Sequence, residues 1–182
     1  PSVPMTNTPA RSDATADVAP SPRRTWRARL RSTFVLAMLS SLALWLAFPP
    51  CDLWPLAWIA PLGWLWLIRV PQLPGRRPYL SLWFAGFVFW LLAYHWLRLP
   101  YWAMSLGWFA LAFYLSFYIP VFVAISRVAV HRWRTPVFVA APLVWMGLEL
   151  ARGHLLTGIT MASLGHTQLR STTLIQISDL AG

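Results

Sequence analysis

Residues 102–126 read WAMSLGWFALAFYLSFYIPVFVAIS, a run of twenty-five residues without one charge. At about 1.5 Å per residue, a helix of that length exceeds a hydrocarbon core of about 30 Å and has room to tilt. Four more apolar runs accompany it, from about Ser32 to Phe48, Leu53 to Ile68, Tyr79 to Leu97 and Pro136 to Leu150. Three of these reach only roughly 23 to 26 Å, a shortfall that snorkelling arginines and local thinning can make good. None alternates strictly as a lipid-facing barrel strand would, so helices satisfy the backbone most simply. The expected fold is all-α: a polytopic transmembrane helix bundle of about five spans, with the start of a sixth near Gly182.

Composition agrees. The chain of 182 residues is 58% hydrophobic and 11% charged, with positive mean hydropathy, about half the charge of an ordinary soluble domain. All 15 basic residues are arginine, and the net charge of +10 would suggest nucleic acid in a soluble protein. Here the arginines fall in short segments between apolar runs, which points to the bilayer as partner and not to nucleic acid. A single cysteine, Cys51, excludes an internal disulfide framework, and four scattered histidines make a metal site or other cofactor unexpected. The missing initiator Met and the apolar ending mark the chain, on this reading, as a piece of something longer.

Residues 1–31 form the expected leader. The first 22 are mostly Pro, Ser, Thr, Ala and Asp, too poor in large apolar groups to offset the entropy of ordering. Arg23 to Arg31 adds five arginines and Trp26, suited to anionic headgroups. Residues 32–182 are then the transmembrane domain. Threading the runs alternately with the N-terminus inside puts twelve arginines in cytoplasmic segments and only Arg98, Arg152 and Arg170 outside. That bias predicts a multi-pass inner-membrane protein with a cytoplasmic N-terminus. Pro55, Pro61, Pro120 and Pro142 interrupt the runs and are expected to kink rather than break them.

Three stretches carry candidate chemistry. LALWLAFPPC, ending at Cys51, has the order of a lipoprotein signal, but Pro49 and Pro50 occupy positions that need small non-proline residues. A tight outer hairpin, FPPCDLWP, accounts for it better. Tyr94, His95 and Arg98 gather at the outer end of the third run, where ionisable groups are suspects for function or simply bond carbonyls and headgroups.

The third stretch is ELARGHLLTGITMASLGHTQ, Glu149 to Gln168. Glu149 and Arg152 lie three apart, on one helix face, where they can neutralise each other. Gly153, Gly158 and Gly165 loosen the backbone, and Thr157, Thr160, Ser163, His166, Thr167 and Gln168 bring polar groups beside Leu155, Leu156, Ile159 and Met161. That mixture suits a surface receiving a lipid headgroup with its acyl chain. A plain interfacial loop anchored by an ion pair would read similarly. No phosphate loop, credible Ser/His/Asp set or pair of exposed carboxylates occurs, so no catalytic residues are expected in this chain.

The spacing E-x-x-R-G-x-x-x-T-G, from Glu149 to Gly158, followed by G-x-x-Q at Gly165 and Gln168, resembles the segment after a transmembrane helix in bacterial apolipoprotein N-acyltransferases. LAFPPCDLWPLAW is similar to that family's first hairpin, GFVFWLLAYHWL to its third span, and IQISDLAG to the start of its next membrane segment. The likeness covers roughly residues 35 to 182. It departs at Ile159, Thr160 and Met161, where the family carries an aromatic, a proline and a tryptophan, and at His166, where it carries a tyrosine.

The resemblance implies an inner-membrane enzyme with two lipid partners, a phospholipid acyl donor and a diacylated lipoprotein acceptor. It passes an acyl chain to the amine of the diacylglyceryl-cysteine through a thioester on a nitrilase-like periplasmic domain, which this chain lacks. Glu149, Arg152, Thr157, Gly158, Gly165 and Gln168 are then expected to face substrate. The alternative is a non-catalytic membrane scaffold serving another enzyme, such as a polyprenyl-phosphate glycosyltransferase. A small transporter ranks last, because polar groups sit mainly at the span ends.

Overall fold

The computed structural model describes residues 32–155, 158–169 and 176, and every regular element among them is helical. The elements are α1 (Thr33–Leu46), α2 (Leu56–Ile59), α3 (Leu62–Arg69), α4 (Pro78–Ala93), α5 (Met104–Leu115), α6 (Tyr118–His131) and α7 (Val137–His154). Two 3-10 helices, His95–Arg98 and Leu164–Gln168, follow α4 and α7. The expected leader and the expected start of a sixth span lie outside the described residues, apart from position 176.

Each apolar run maps onto one helical unit, but their lengths differ from a uniform set of spans. α5 and α6 follow one another through Ser116 and Phe117 as one 28-residue apolar stretch, Met104–His131, long enough by length and composition to cross a bilayer. Thr33–Leu46, Leu56–Arg69 and Pro78–Ala93 are shorter apolar helices. Residues assigned to the runs are consumed at their ends: the hairpin of residues 47–55 takes the end of the first, and the 3-10 turn His95–Arg98 takes the end of the third.

The prolines act by position. Pro55 and Pro61 immediately precede α2 and α3, where a missing N–H costs nothing because first-turn donors have no intrahelical partner. Pro142 lies inside an uninterrupted α7. Pro120 cannot donate to the carbonyl of Ser116, four residues back, and the helix is interrupted at Ser116 and Phe117. Gly86 of α4 approaches that carbonyl so closely that an added Cβ would stand 3.0 Å from it. Gly63 of α3 does the same against α1, where a Cβ would meet Ser40 Oγ and lie 3.0 Å from the Leu36 carbonyl.

Side chains are distributed inside out relative to a soluble bundle. Ser40, Ser41, Ser116 and Ser126 are buried with Ala37, Ala85, Ala112 and Ala141, while Trp102, Leu106, Phe138 and Leu143 are exposed. Small residues inside let backbones close up, and a large apolar exterior suits lipid. The largest fully buried apolar side chains are Trp64, Leu67, Ile68, Leu82, Leu115 and Val123, with Phe89, Trp90 and Phe122 nearly so.

One arginine counted as a cytoplasmic charge has a structural task. Arg127 of α6 donates from Nη1 to the carbonyls of Leu67 (2.7 Å) and Val70 (2.6 Å), and from Nη2 to that of Pro71 (2.8 Å). His131, one turn on, bonds the Ile68 carbonyl at 2.9 Å. Together they satisfy two of the last carbonyls of α3, Leu67 and Ile68, and the two just past its end, and place a cation at its negative end. Arg127→Ala should cost about 3 kcal/mol, since bonds to a charged donor contribute about 1.5–3 kcal/mol and are lost together here. Thermal unfolding in detergent checks this: a lower midpoint for R127A, with R127K between it and wild type, is expected, and an unchanged midpoint contradicts it.

Candidate functional site

The last turns of α7 set out Trp145, Glu149 and Arg152 at helical spacing, so all three approach the segment that returns after His154. Glu149 Oε1 accepts from Trp145 Nε1 at 3.0 Å and from the Leu164 N–H at 2.9 Å, holding the first residue of the 3-10 helix Leu164–Gln168. Arg152 is 5% exposed. Its Nη2 donates to Ser163 Oγ at 3.1 Å and its guanidinium lies 5.2 Å from the Trp90 ring centroid.

The expected Glu149–Arg152 pair is therefore not formed. Spacing puts both on one side of α7, but Arg152 turns inward to the Trp90 face while Glu149 caps the returning segment. A buried cation needs compensation, and here an aromatic face and a hydroxyl supply part of it, while Arg152 Nε is buried without a partner among the described residues.

Trp90 in turn stacks on Tyr94, with ring centroids 5.4 Å apart and planes 13° from parallel. The Tyr94 hydroxyl donates to the Met161 carbonyl at 2.8 Å. Thus three side chains from two helices, Tyr94, Glu149 and Arg152, tether Met161, Leu164 and Ser163. The trio at the end of the third run separates: Tyr94 joins this site, His95 Nδ1 bonds the Leu92 carbonyl at 2.9 Å, and Arg98 lies over Trp108 at 5.5 Å.

Within the segment, Ser163 Oγ donates to the Thr160 carbonyl at 2.8 Å, and His166 Nδ1 accepts from the Ser163 N–H at 3.2 Å. Ser163 and His166 thus form a capping box and not a nucleophile with its base. Gln168 Nε2 donates to Thr167 Oγ1 at 3.1 Å, while Gln168 Oε1 is buried without a donor among the described residues. Thr157 lies outside the described residues. Of the three glycines, Gly158 alone has a left-handed backbone, φ 66°, and a Cβ there would stand 2.9 Å from the Gly153 carbonyl. Gly153 stays helical, and Gly165 lies within the 3-10 helix with open space around it.

A lateral groove runs alongside. Its larger part, about 430 Å³, lies between α2–α3 and α7 and is walled by Trp58, Leu65, Phe138, Ala141, Trp145 and Met146 among others. A second part of about 260 Å³ shares Ala57, Trp58, Trp145, Met146 and Leu164 with it and ends on Glu149, Gly165 and Gln168. From Val137 to Glu149 the groove follows α7 for about 18 Å, close to the depth of one leaflet. Its walls are almost wholly apolar, and Trp58, Phe138 and Met146 are exposed along its opening. None of the three wall tryptophans, Trp58, Trp64 and Trp145, stood out in the sequence as a groove residue.

Arg152, by contrast, sits behind the groove, in a small recess of about 30 Å³ shared with Tyr118, Phe122, Trp145 and Glu149. Among the described residues no three His, Cys, Asp or Glu side chains gather as metal ligands. Cys51 is exposed in the hairpin of residues 47–55. The groove is an apolar trough with a carboxylate and a carboxamide at one end.

Over residues 40–182 the sequence matches the family described as the apolipoprotein N-acyltransferase N-terminal domain. It is 36% identical to an apolipoprotein N-acyltransferase of Rhodopirellula baltica over 153 residues, 78% of this chain and 26% of that protein. It is also 36% identical to one from Geobacter metallireducens over 165 residues, 84% of this chain and 30% of the relative. A Haemophilus influenzae apolipoprotein N-acyltransferase is 29% identical over 143 residues, 76% of this chain and 27% of that protein. The chain thus spans under a third of the length of these relatives.

Gly158→Ala should strain the turn that brings this segment back, costing about 1–2 kcal/mol from the left-handed backbone alone. Limited proteolysis is the check: faster cutting between residues 155 and 169 in G158A is expected, and wild-type protection contradicts the assignment.

Proposed function

The chain belongs to the apolipoprotein N-acyltransferase N-terminal domain family, and from that premise we propose that it is the membrane region of such an enzyme. The full protein transfers an acyl chain from a phospholipid to the N-terminal amine of diacylglyceryl-cysteine in lipoproteins. In this reading the region anchors the catalytic domain on the outer leaflet and holds lipid substrate beside it. The observation that carries it is the apolar groove of leaflet depth ending on Glu149, Gly165 and Gln168.

Holding a lipid in a membrane cleft next to the reacting group removes much of the entropic cost of encounter. The five helical units cross the inner membrane, the N-terminus is cytoplasmic, and the segment 149–168 faces the periplasm. The inside-out residue distribution and the arginine bias support that placement. Glu149, Arg152, Gly158, Gly165 and Gln168 face or support the cleft, with Arg152 acting as a positioning residue through Ser163; Thr157, expected to share that task, lies outside the described residues.

Arg152→Ala or Gln168→Ala in the full-length enzyme should lower lipopeptide acylation at least tenfold while the thioester intermediate still forms. Gel-shift acylation and mass detection of the acyl-enzyme are the readouts. Unchanged acylation in both variants contradicts the proposal, and so does loss of the thioester together with acylation in proteins that remain folded.

A further inference from the structure

The end of the bundle opposite Glu149 gathers charge that the fold itself does not use. The Thr33 N–H bonds the Pro74 carbonyl at 3.3 Å, Arg127 the Pro71 carbonyl and His131 the Ile68 carbonyl. The start of α1, the α3–α4 connection and the end of α6 therefore meet at this end. Arg69, Arg76 and Arg77 flank the α3–α4 connection, Arg132 and Arg134 lie in the α6–α7 connection, and all five are exposed. Unlike Arg127, none of the five has a side-chain partner among the described residues. The acids among those residues, Asp52 and Glu149, belong to the opposite end, after α1 and in the last turns of α7.

The turn after α6 holds one of these charges in a fixed place. Arg134 has a left-handed backbone, φ 55°, and the Thr135 N–H closes the turn on the Ala129 carbonyl at 3.1 Å. A guanidinium thus stands where glycine would fit more easily. Trp133, 68% exposed, and the exposed Tyr79 accompany the arginines, as aromatic residues do at headgroup level.

We propose that the α3–α4 and α6–α7 connections together bind an anionic phospholipid of the cytoplasmic leaflet, one whose headgroup carries two phosphates. Arginine matches phosphate oxygens through its paired N–H donors. A single phosphodiester brings one negative charge to five free guanidiniums, whereas two linked phosphates engage both connections, the second at high effective concentration. The assignment rests on the membrane placement proposed above and adds to it a lipid site at the end away from Glu149.

Native mass spectrometry of the full-length protein, with cardiolipin, phosphatidylglycerol or phosphatidylcholine added in detergent, tests this. Wild type should hold cardiolipin at least about tenfold tighter than phosphatidylglycerol, with phosphatidylcholine weakest. Arg134→Gly removes a charge and supplies the residue that the left-handed turn favours. Its cardiolipin affinity should fall about fivefold, the effect of one arginine at an anionic headgroup, while its thermal midpoint stays level or rises. R132Q combined with R134G should lose about twenty-five-fold. Arg98→Gln, at the opposite end, should bind as wild type does.

Unchanged affinity in the double variant overturns the site, and so does an equal loss in R98Q, which would make the effect one of net charge. A lower midpoint in R134G assigns Arg134 to the fold and overturns its place here. Equal affinity for phosphatidylglycerol and cardiolipin overturns the two-phosphate headgroup, and displacement by equimolar pyrophosphate gives the site to a soluble anion. Acyl transfer measured on the same samples separates this idea from the broader one. Normal transfer with arginine-independent lipid binding removes only this site. Arginine-dependent binding without transfer in wild type removes the acyl-transfer reading and leaves the site standing.

Discussion

A guanidinium buried to 5% exposure, with no carboxylate partner among the described residues, is an expensive thing to place at the end of a helix, since desolvating an ion costs several kcal/mol. Trp90 offsets part of that cost with its face at 5.2 Å and Ser163 with its hydroxyl at 3.1 Å. A desolvated cation–π contact contributes about 2 kcal/mol, and a hydrogen bond from a charged donor about 1.5–3 kcal/mol. Those compensations need α4 beside α7 and the returning segment folded over both. The burial of Arg152 therefore fixes where residues 158–169 lie, and with them the mouth of the groove.

The same event frees Glu149. Had the two charges paired across one helical turn, the site would offer a neutral end to the groove. With Arg152 turned inward, Glu149 uses one oxygen, Oε1, for both the Trp145 indole and the backbone of Leu164. Aromatic packing keeps this arrangement rigid: Trp145 stacks on the fully buried Trp64 at 5.7 Å and meets Phe122 edge-on at 5.0 Å. One indole thus serves as core, groove wall and donor to the carboxylate.

The helical units were legible because uninterrupted apolar runs have few other ways to satisfy their backbones. The segment from Glu149 to Gln168 stood out for its polar groups alone, and the structure gathers Glu149, Gly165 and Gln168 at one end of the groove with Arg152 behind. What the residues did not disclose was direction. Spacing of three places Glu149 and Arg152 on one side of a helix, but their partners, Leu164 and Trp90, come from other elements. Tyr94 reaches Met161 across 67 residues, and no local pattern encodes such a contact. Arg127 read as surface charge because its acceptors are backbone carbonyls, which every sequence has. Trp58 and Trp145 read as span residues because a groove wall and a lipid-facing wall are made of the same side chains.

The account turns on lipid lying in the groove. An experimental structure of the full-length protein in phospholipid nanodiscs tests that directly. It should reveal continuous acyl-chain density between Trp58, Leu65 and Met146, with the headgroup at Glu149 and Gln168. A groove filled by another part of the polypeptide, with ordered lipid only elsewhere, would contradict it.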